Sequence, residues 1–274
     1  MTEKVIEMSE FPGRRVPKDD YRSQATLRIE GKIVVEVLGL GEGAIEVIQK
    51  LAANEFVLLN RKLFGPNCEL SLDDIIQVDR VPEIAIVVFD SNDTSSVGAA
   101  LPIAKRIDRN GKLGLSFDLS NNTPSKMKKV SNAVLPIGVN RGGAAEYLGV
   151  FLRGLLVPIL TENFVGIEFS DGPLACQAGH SSWAIAGQGQ GENRAIGAIE
   201  DAMNRATAFG KNFDDANSVL MTVIVDPNFT FGESAAMARM LDDTTLFGEV
   251  PLVYSAIVDD HRDESVKAIL VVTE

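Results

Sequence analysis

Between Ile33 and Val139, short apolar runs of strand length alternate with helix-forming segments, and this alternation restricts the fold more than any other feature. Ile33–Leu38 (IVVEVL), Phe56–Leu59 (FVLL), Ile84–Phe89 (IAIVVF), Leu113–Phe117 (LGLSF) and Val134–Val139 (VLPIGV) are rich in Val, Ile, Leu and Phe. Such near-continuous apolar runs mark strands covered on both faces. Ala44–Ala53, Val97–Ile107 and a shorter segment near Pro124–Ser131 lie between them as helices. Strand and helix in turn predict βαβ units and a doubly wound, Rossmann-like parallel sheet.

The pattern then changes. Arg141–Leu160 (RGGAAEYLGVFLRGLLVPIL) is apolar around most of its circumference, as expected of a buried central helix, with Pro158 ending it near its last turn. A strand (Phe164–Phe169), a Gly-rich stretch, a helix (Asn193–Phe209), a strand (Val219–Val225) and a helix (Glu233–Leu241) follow. The closing strands, Leu252–Val258 and Val266–Val272, are separated by the short acidic DDHRDES, which predicts an antiparallel hairpin. The expected division is an N-terminal arm over 1–30, a Rossmann-like domain with its central helix over 31–160, and a smaller α+β domain over 161–274. The arm is polar, balanced in charge and carries Pro12 and Pro17.

A net charge of −12 argues against nucleic acid as a partner. No apolar run is long enough for a bilayer, and the N-terminus lacks the layout of a signal peptide, so no membrane partner is expected. The two cysteines, Cys68 and Cys176, fit no metal or redox spacing, which makes a reducing cytoplasm the default and leaves no metal site. Eight Lys/Arg stand against Asp108 and Asp118 between Lys105 and Arg141, whereas seven acids stand against Arg262 between Asp242 and Glu264. Such runs are either solvated faces or surfaces that draw neighbouring copies together.

Three clusters can carry chemistry. Gly39, Gly41 and Gly43 follow the first core strand and precede a helix, where backbone can approach a phosphate and free N–H groups face it. Gly39-x-Gly41-x-x-Ala44 also fits a dinucleotide fingerprint, with Asn60 and Arg61 about 20 residues on, suited to a 2′-phosphate. A tight turn that binds nothing reads equally well. Second, Ile84–Phe89 runs into Asp90-Ser91-Asn92-Asp93-Thr94-Ser95-Ser96-Val97-Gly98. This is an anion-binding helix start, or a plain one capped by Asp93 or Thr94. Third, Glu168 and Asp171 leave a strand three residues apart. They either position a water or metal or meet a helix dipole as ordinary helix-start acids.

In this order the clusters resemble FtsZ and the tubulins. The likeness is firmest in the second half, where Gly166-Ile167-Glu168-Phe169-Ser170-Asp171 matches the synergy-loop position. Gly187–Met203 (GQGQGENRAIGAIEDAM) supplies Glu192-Asn193-Arg194-Ala195 where the family has Glu-Asp-Arg-Ala. The resemblance implies a tubulin/FtsZ-like fold and a GTP site at Gly39, Gly41, Gly43, Asn60, Thr94, Ser95, Ser96 and Gly98, with magnesium only if GTP binds. It also implies head-to-tail stacking, in which Glu168 and Asp171 act as catalytic carboxylates on a neighbouring subunit's nucleotide. The first half departs from the family. The signature loop keeps only Thr94 and Gly98, Glu42 stands where FtsZ has glycine, and the segment from Asn60 to Ile84 is short. Only Tyr147 is placed for a guanine ring, Gly166 replaces an asparagine, and no tethering tail is expected beyond Glu274. The reading is therefore an assembly protein that self-associates or joins an FtsZ- or tubulin-type partner, at most a weak GTPase. An active GTPase, or an NADP-dependent oxidoreductase using Gly39, Gly41 and Arg61, are the alternatives.

Overall fold

The strand Ile84–Phe89 has all six residues buried, which only a central strand of a sheet covered on both faces achieves. The computed structural model describes residues 35–53, 60–65, 82–120, 122–136, 143–160, 165, 167, 176, 180–243, 250–259 and 263–274. They fall into two compact units. One comprises Gly31–Gly149 and Cys176–Ser182, the other Val150–Ala175 and Trp183–Glu274.

In the first unit the described elements are β1 (Val35–Leu40), α1 (Glu42–Ala53), β2 (Asn60–Phe64), β3 (Ile84–Phe89), α2 (Thr94–Arg109), β4 (Leu113–Asp118), α3 (Ser125–Lys128) and β5 (Ala133–Pro136). The strands form one parallel sheet in the order β2-β1-β3-β4-β5. Leu38, Leu40, Val87 and Phe89 pack with Ala100, Ile103, Ala104 and Ile107 of α2 and with Met127 of α3. The expected second strand, Phe56–Leu59, lies outside the described residues. Because β2 is Asn60–Phe64, in register with Glu36–Leu40, Asn60 and Arg61 open this strand rather than follow its end.

The long apolar helix α4 spans Ala144–Leu160, with Pro158 inside its last turn. A proline removes the N–H that would bond the carbonyl four residues back. Here that carbonyl, Gly154 O, accepts from Thr222 Oγ1 at 2.7 Å, so the loss is made good by a side chain. Gly154 also lets the helix approach closely, since a Cβ there would stand 2.8 Å from Ile269 Cγ2 and Val271 Cγ2.

The second unit contains β6 (Ser182–Gln190) from Trp183 on, α5 (Arg194–Ala208), β7 (Ser218–Val225), α6 (Phe231–Asp243), β8 (Leu252–Val258) and β9 (Ser265–Thr273), with sheet order β6-β9-β7-β8. Two expectations are corrected. The Gly-rich stretch is the strand β6. A Cβ on Gly187 would lie 2.2 Å from Ala198 O and Ala202 N, so its glycines admit the backbone of α5. The closing strands do not form a hairpin. β7 lies between them, parallel to β8 and antiparallel to β9. A buried, apolar β7 takes the centre, and the acidic connection needs only to cross two strand spacings, roughly 10 Å. Of the expected strand Phe164–Phe169, Val165 bridges Ala256; residues 164, 166 and 168–169 lie outside the described set. Among the described residues no helix is long and apolar enough to cross a membrane.

Candidate functional site

In an open parallel sheet, ligands collect beyond the carboxyl ends of the strands where the order reverses, here between β1 and β3. The three glycines do different work there. Gly39 is inside β1, and a Cβ on it would stand 2.7 Å from Ile48 Cδ1, so it serves helix packing. Gly41 alone makes the turn, with φ +90°; its N–H donates to Phe64 O at 2.9 Å and its carbonyl accepts from Ile45 N at 3.1 Å. Gly43 already belongs to the first turn of α1, beside the exposed Glu42.

The turn after β3 is held by the chain's own acids. Asp93 caps α2, its Oδ1 accepting from Ser95 N at 2.9 Å and Ser95 Oγ at 2.8 Å. Its carboxylate also lies against Gly41, where a Cβ would stand 3.4 Å from Asp93 Oδ2. Asp90 Oδ1 accepts from Asn92 N at 2.9 Å and from Ser120 Oγ at 2.6 Å. Asp118, fully buried at the end of β4, accepts from Ser91 N at 2.9 Å, Ser120 N at 3.0 Å and Thr123 Oγ1 at 2.5 Å. The buried Ser96 hydroxyl donates to Leu40 O at 2.8 Å and accepts from Asp90 N at 3.2 Å, tying the end of β1 to the start of α2. Backbone N–H groups of Ser91, Asn92 and Ser95, which an incoming anion would need, thus donate to carboxylates of the same chain.

Of the residues expected here, Gly41 and Ser96 come together, Ser95 serves the cap, and Thr94 and Gly98 are exposed on α2. Asn60 pairs with Glu36, near the start of β1, about 13 Å along the sheet from its end. Glu168 and Asp171 lie outside the described residues. Asp118, Ser120 and Thr123 were not among the expected site residues. The run Asp118-Leu119-Ser120 directly after a buried strand was the available signal.

A second polar cluster sits in the other unit. Arg194, in the Glu192-Asn193-Arg194-Ala195 motif, is buried and pairs with Asp226; its Nε donates to Glu233 Oε1 at 2.7 Å. Glu233 and Thr230 also bond reciprocally, Thr230 N to Glu233 Oε2 at 2.8 Å and Glu233 N to Thr230 Oγ1 at 3.2 Å, a capping box at the start of α6. Burial works to raise the Glu233 pKa, but the bonds from Arg194 and Thr230 outweigh it and hold it below the usual carboxylate range. The bond to Glu233 leads in raising the Arg194 pKa. This cluster is an anchor joining α5, the end of β7 and α6, in which one guanidinium serves two carboxylates.

No family model matches the chain. It is 21% identical over 150 residues to the cell division protein FtsZ of Aquifex aeolicus, a match spanning 54% of this chain and 40% of that protein. Among solved structures it is similar to an empty FtsZ dimer of M. jannaschii, with a TM-score of 0.73, 14% identity and 90% of each chain covered. A GTPγS-bound CetZ2 protofilament of Haloferax volcanii gives a TM-score of 0.56, 12% identity and coverage of 88% of this chain and 93% of that one. GDP-form protofilaments of TubZ from Bacillus thuringiensis serovar israelensis give 0.59, 9% identity and 88% of each chain.

Proposed function

We propose, from the premise that this is a divergent chain of FtsZ/tubulin fold, that it is a cytoskeletal assembly protein of the cytoplasm that stacks head to tail on itself or on an FtsZ- or tubulin-type partner. GTP binding in it is weak or absent. The chain then reads as an arm over 1–30, a nucleotide-type domain over 31–160 and a C-terminal domain over 161–274. That relatives of this fold are described as a dimer and as protofilaments supports the assembly half of the reading.

One observation carries the nucleotide half: Asp90, Asp93 and Asp118 occupy the donors at the strand ends and the start of α2. A triphosphate brought there would meet like charges and have to displace formed hydrogen bonds. Both costs rise as the site is desolvated. The residues present do not fit a phosphate cradle.

The test is to denature freshly purified protein, separate the released small molecules by anion exchange, and titrate the protein with GTP and magnesium by calorimetry. No stoichiometric guanine nucleotide and a Kd weaker than about 1 μM are expected. Sub-micromolar binding would overturn this half in favour of an active GTPase. Saturable NADPH binding that disappears in Arg61→Ala would replace the reading with the oxidoreductase.

A further inference from the structure

Five cations of the first unit stand out in an acidic chain. Lys105 and Arg109 on α2, with Lys126, Lys128 and Lys129 on and just after α3, make no ion pair among the described residues. Nearby Lys112 is different, being paired to Glu83 at 3.6 Å. Asp108 is the one acid on this stretch of α2. Met127 holds the two groups on one flank, since it packs into the cluster with Ile103, Ala104 and Ile107 and leaves the flanking lysines outside. Lys105, Arg109, Lys126 and Lys129 are exposed.

The flank is not the strand-end site. α2 begins there at Thr94 and runs away from it, so Lys105 lies roughly 16 Å along the helix. The rest of the chain supplies the matching charge. Residues 31–149 carry 13 Lys/Arg against 14 Asp/Glu, whereas residues 150–274 carry 7 against 18. Nearly all the net negative charge therefore belongs to the second half, with Asp214, Asp215, Asp263 and Glu264 exposed there.

We propose that the α2–α3 flank is a contact surface for the acidic second unit of another copy of this chain, separate from any contact made at the strand ends. The proposal rests on the self-association in the reading above and names a surface for it. Charges act over about 10 Å in salt near 0.1 M, so local matching decides the outcome rather than net charge. A second copy carries that matching charge in its acidic second unit. The contact joins two different surfaces, so it propagates from copy to copy instead of closing as a symmetric pair.

Sedimentation velocity of the full chain at about 50 mM and about 500 mM salt tests this. The variants are Lys105→Glu/Lys126→Glu/Lys129→Glu, the same positions changed to Gln, and the same positions changed to Arg. The expected result at low salt is association weakened about tenfold or more in the Glu variant, less in the Gln variant and unchanged in the Arg variant. High salt is expected to close the gap. A Glu variant, or a Gln variant if the former does not fold, that associates as wild type would overturn the flank contact and leave self-association standing. A wild-type monomer at every concentration would overturn both. Flotation with phosphatidylserine vesicles, lost in the Glu variant while association is unchanged, would give the flank to a membrane and overturn the second-copy contact.

Discussion

Asp93 is at once the cap of α2 and a negative charge beside Gly41, and these two roles can be separated. Asp93→Asn keeps an oxygen for Ser95 N and removes the charge, whereas Asp93→Ala removes both. The alanine variant is expected to lose about 1 kcal/mol, read from the urea midpoint at unchanged slope. The asparagine variant is expected to hold its stability and to bind GTP more tightly than wild type in calorimetry. Equal GTP binding by the two proteins would show that charge at this turn is not what limits affinity. Arg194 gives a sharper case, because Asp226 is buried behind it. Among the described residues, Arg194→Met leaves that carboxylate with Asn228 N alone, at 2.8 Å, and is expected to destabilise by about 3–5 kcal/mol. Arg194→Lys keeps the charge but not the two-sided guanidinium contact, and should fall between.

Elements show where local residues decide and where distant ones do. Thr222 and Pro158 meet at Gly154 O, so their effects should not add. Thr222→Val strands a buried carbonyl and is expected to cost about 1–3 kcal/mol. In a Pro158→Ala background the helix can supply its own N–H, and the same change should cost clearly less. Additive losses in the double-mutant cycle would remove this account of how α4 passes its proline. Gly187→Ala drives a methyl into the backbone of α5 and is expected to cost more than the usual ~1–3 kcal/mol of an overpacked side chain, because backbone cannot rotate away. The same residues explain what could be read from the chain beforehand. β1, β3, β4, α2 and α4 carry their own signals as apolar runs or periodic faces. β6 does not, because its glycines act through what they leave out, and the partner that needs the space is α5. The pairing of β9 with β7 joins residues from Ile224↔Lys267 to Ser218↔Thr273, far apart in the chain and invisible to any local turn rule. At the site, the cap at Asp93 was legible in SNDTSS. Asp118 was not, since only the β3–β4 pairing brings it beside Ser91.

At the scale of the whole molecule, charge and pH act on the two units differently, and the single tryptophan makes this measurable. Trp183 is buried in the second unit, 5.2 Å from the Phe213 ring and 5.7 Å from Lys211 Nζ, so its fluorescence follows that unit while circular dichroism follows both. That unit holds most of the net charge, and self-repulsion opposes its compact state. Added salt at neutral pH is therefore expected to raise the urea midpoint seen by Trp183 fluorescence. Acid works through Glu233. Its folded pKa is lowered, so its contribution is complete above the ordinary glutamate value, near 4.3, and is lost as pH falls through the lower folded value. From pH 7 to about 5 the midpoint should hold or rise as repulsion eases, and it should fall only below about pH 4. In Glu233→Gln that late fall should shrink, since the group that would take up the proton is gone. A wild-type midpoint already falling between pH 7 and 5 would mean that another group, not the Arg194 cluster, governs how acid unfolds this unit.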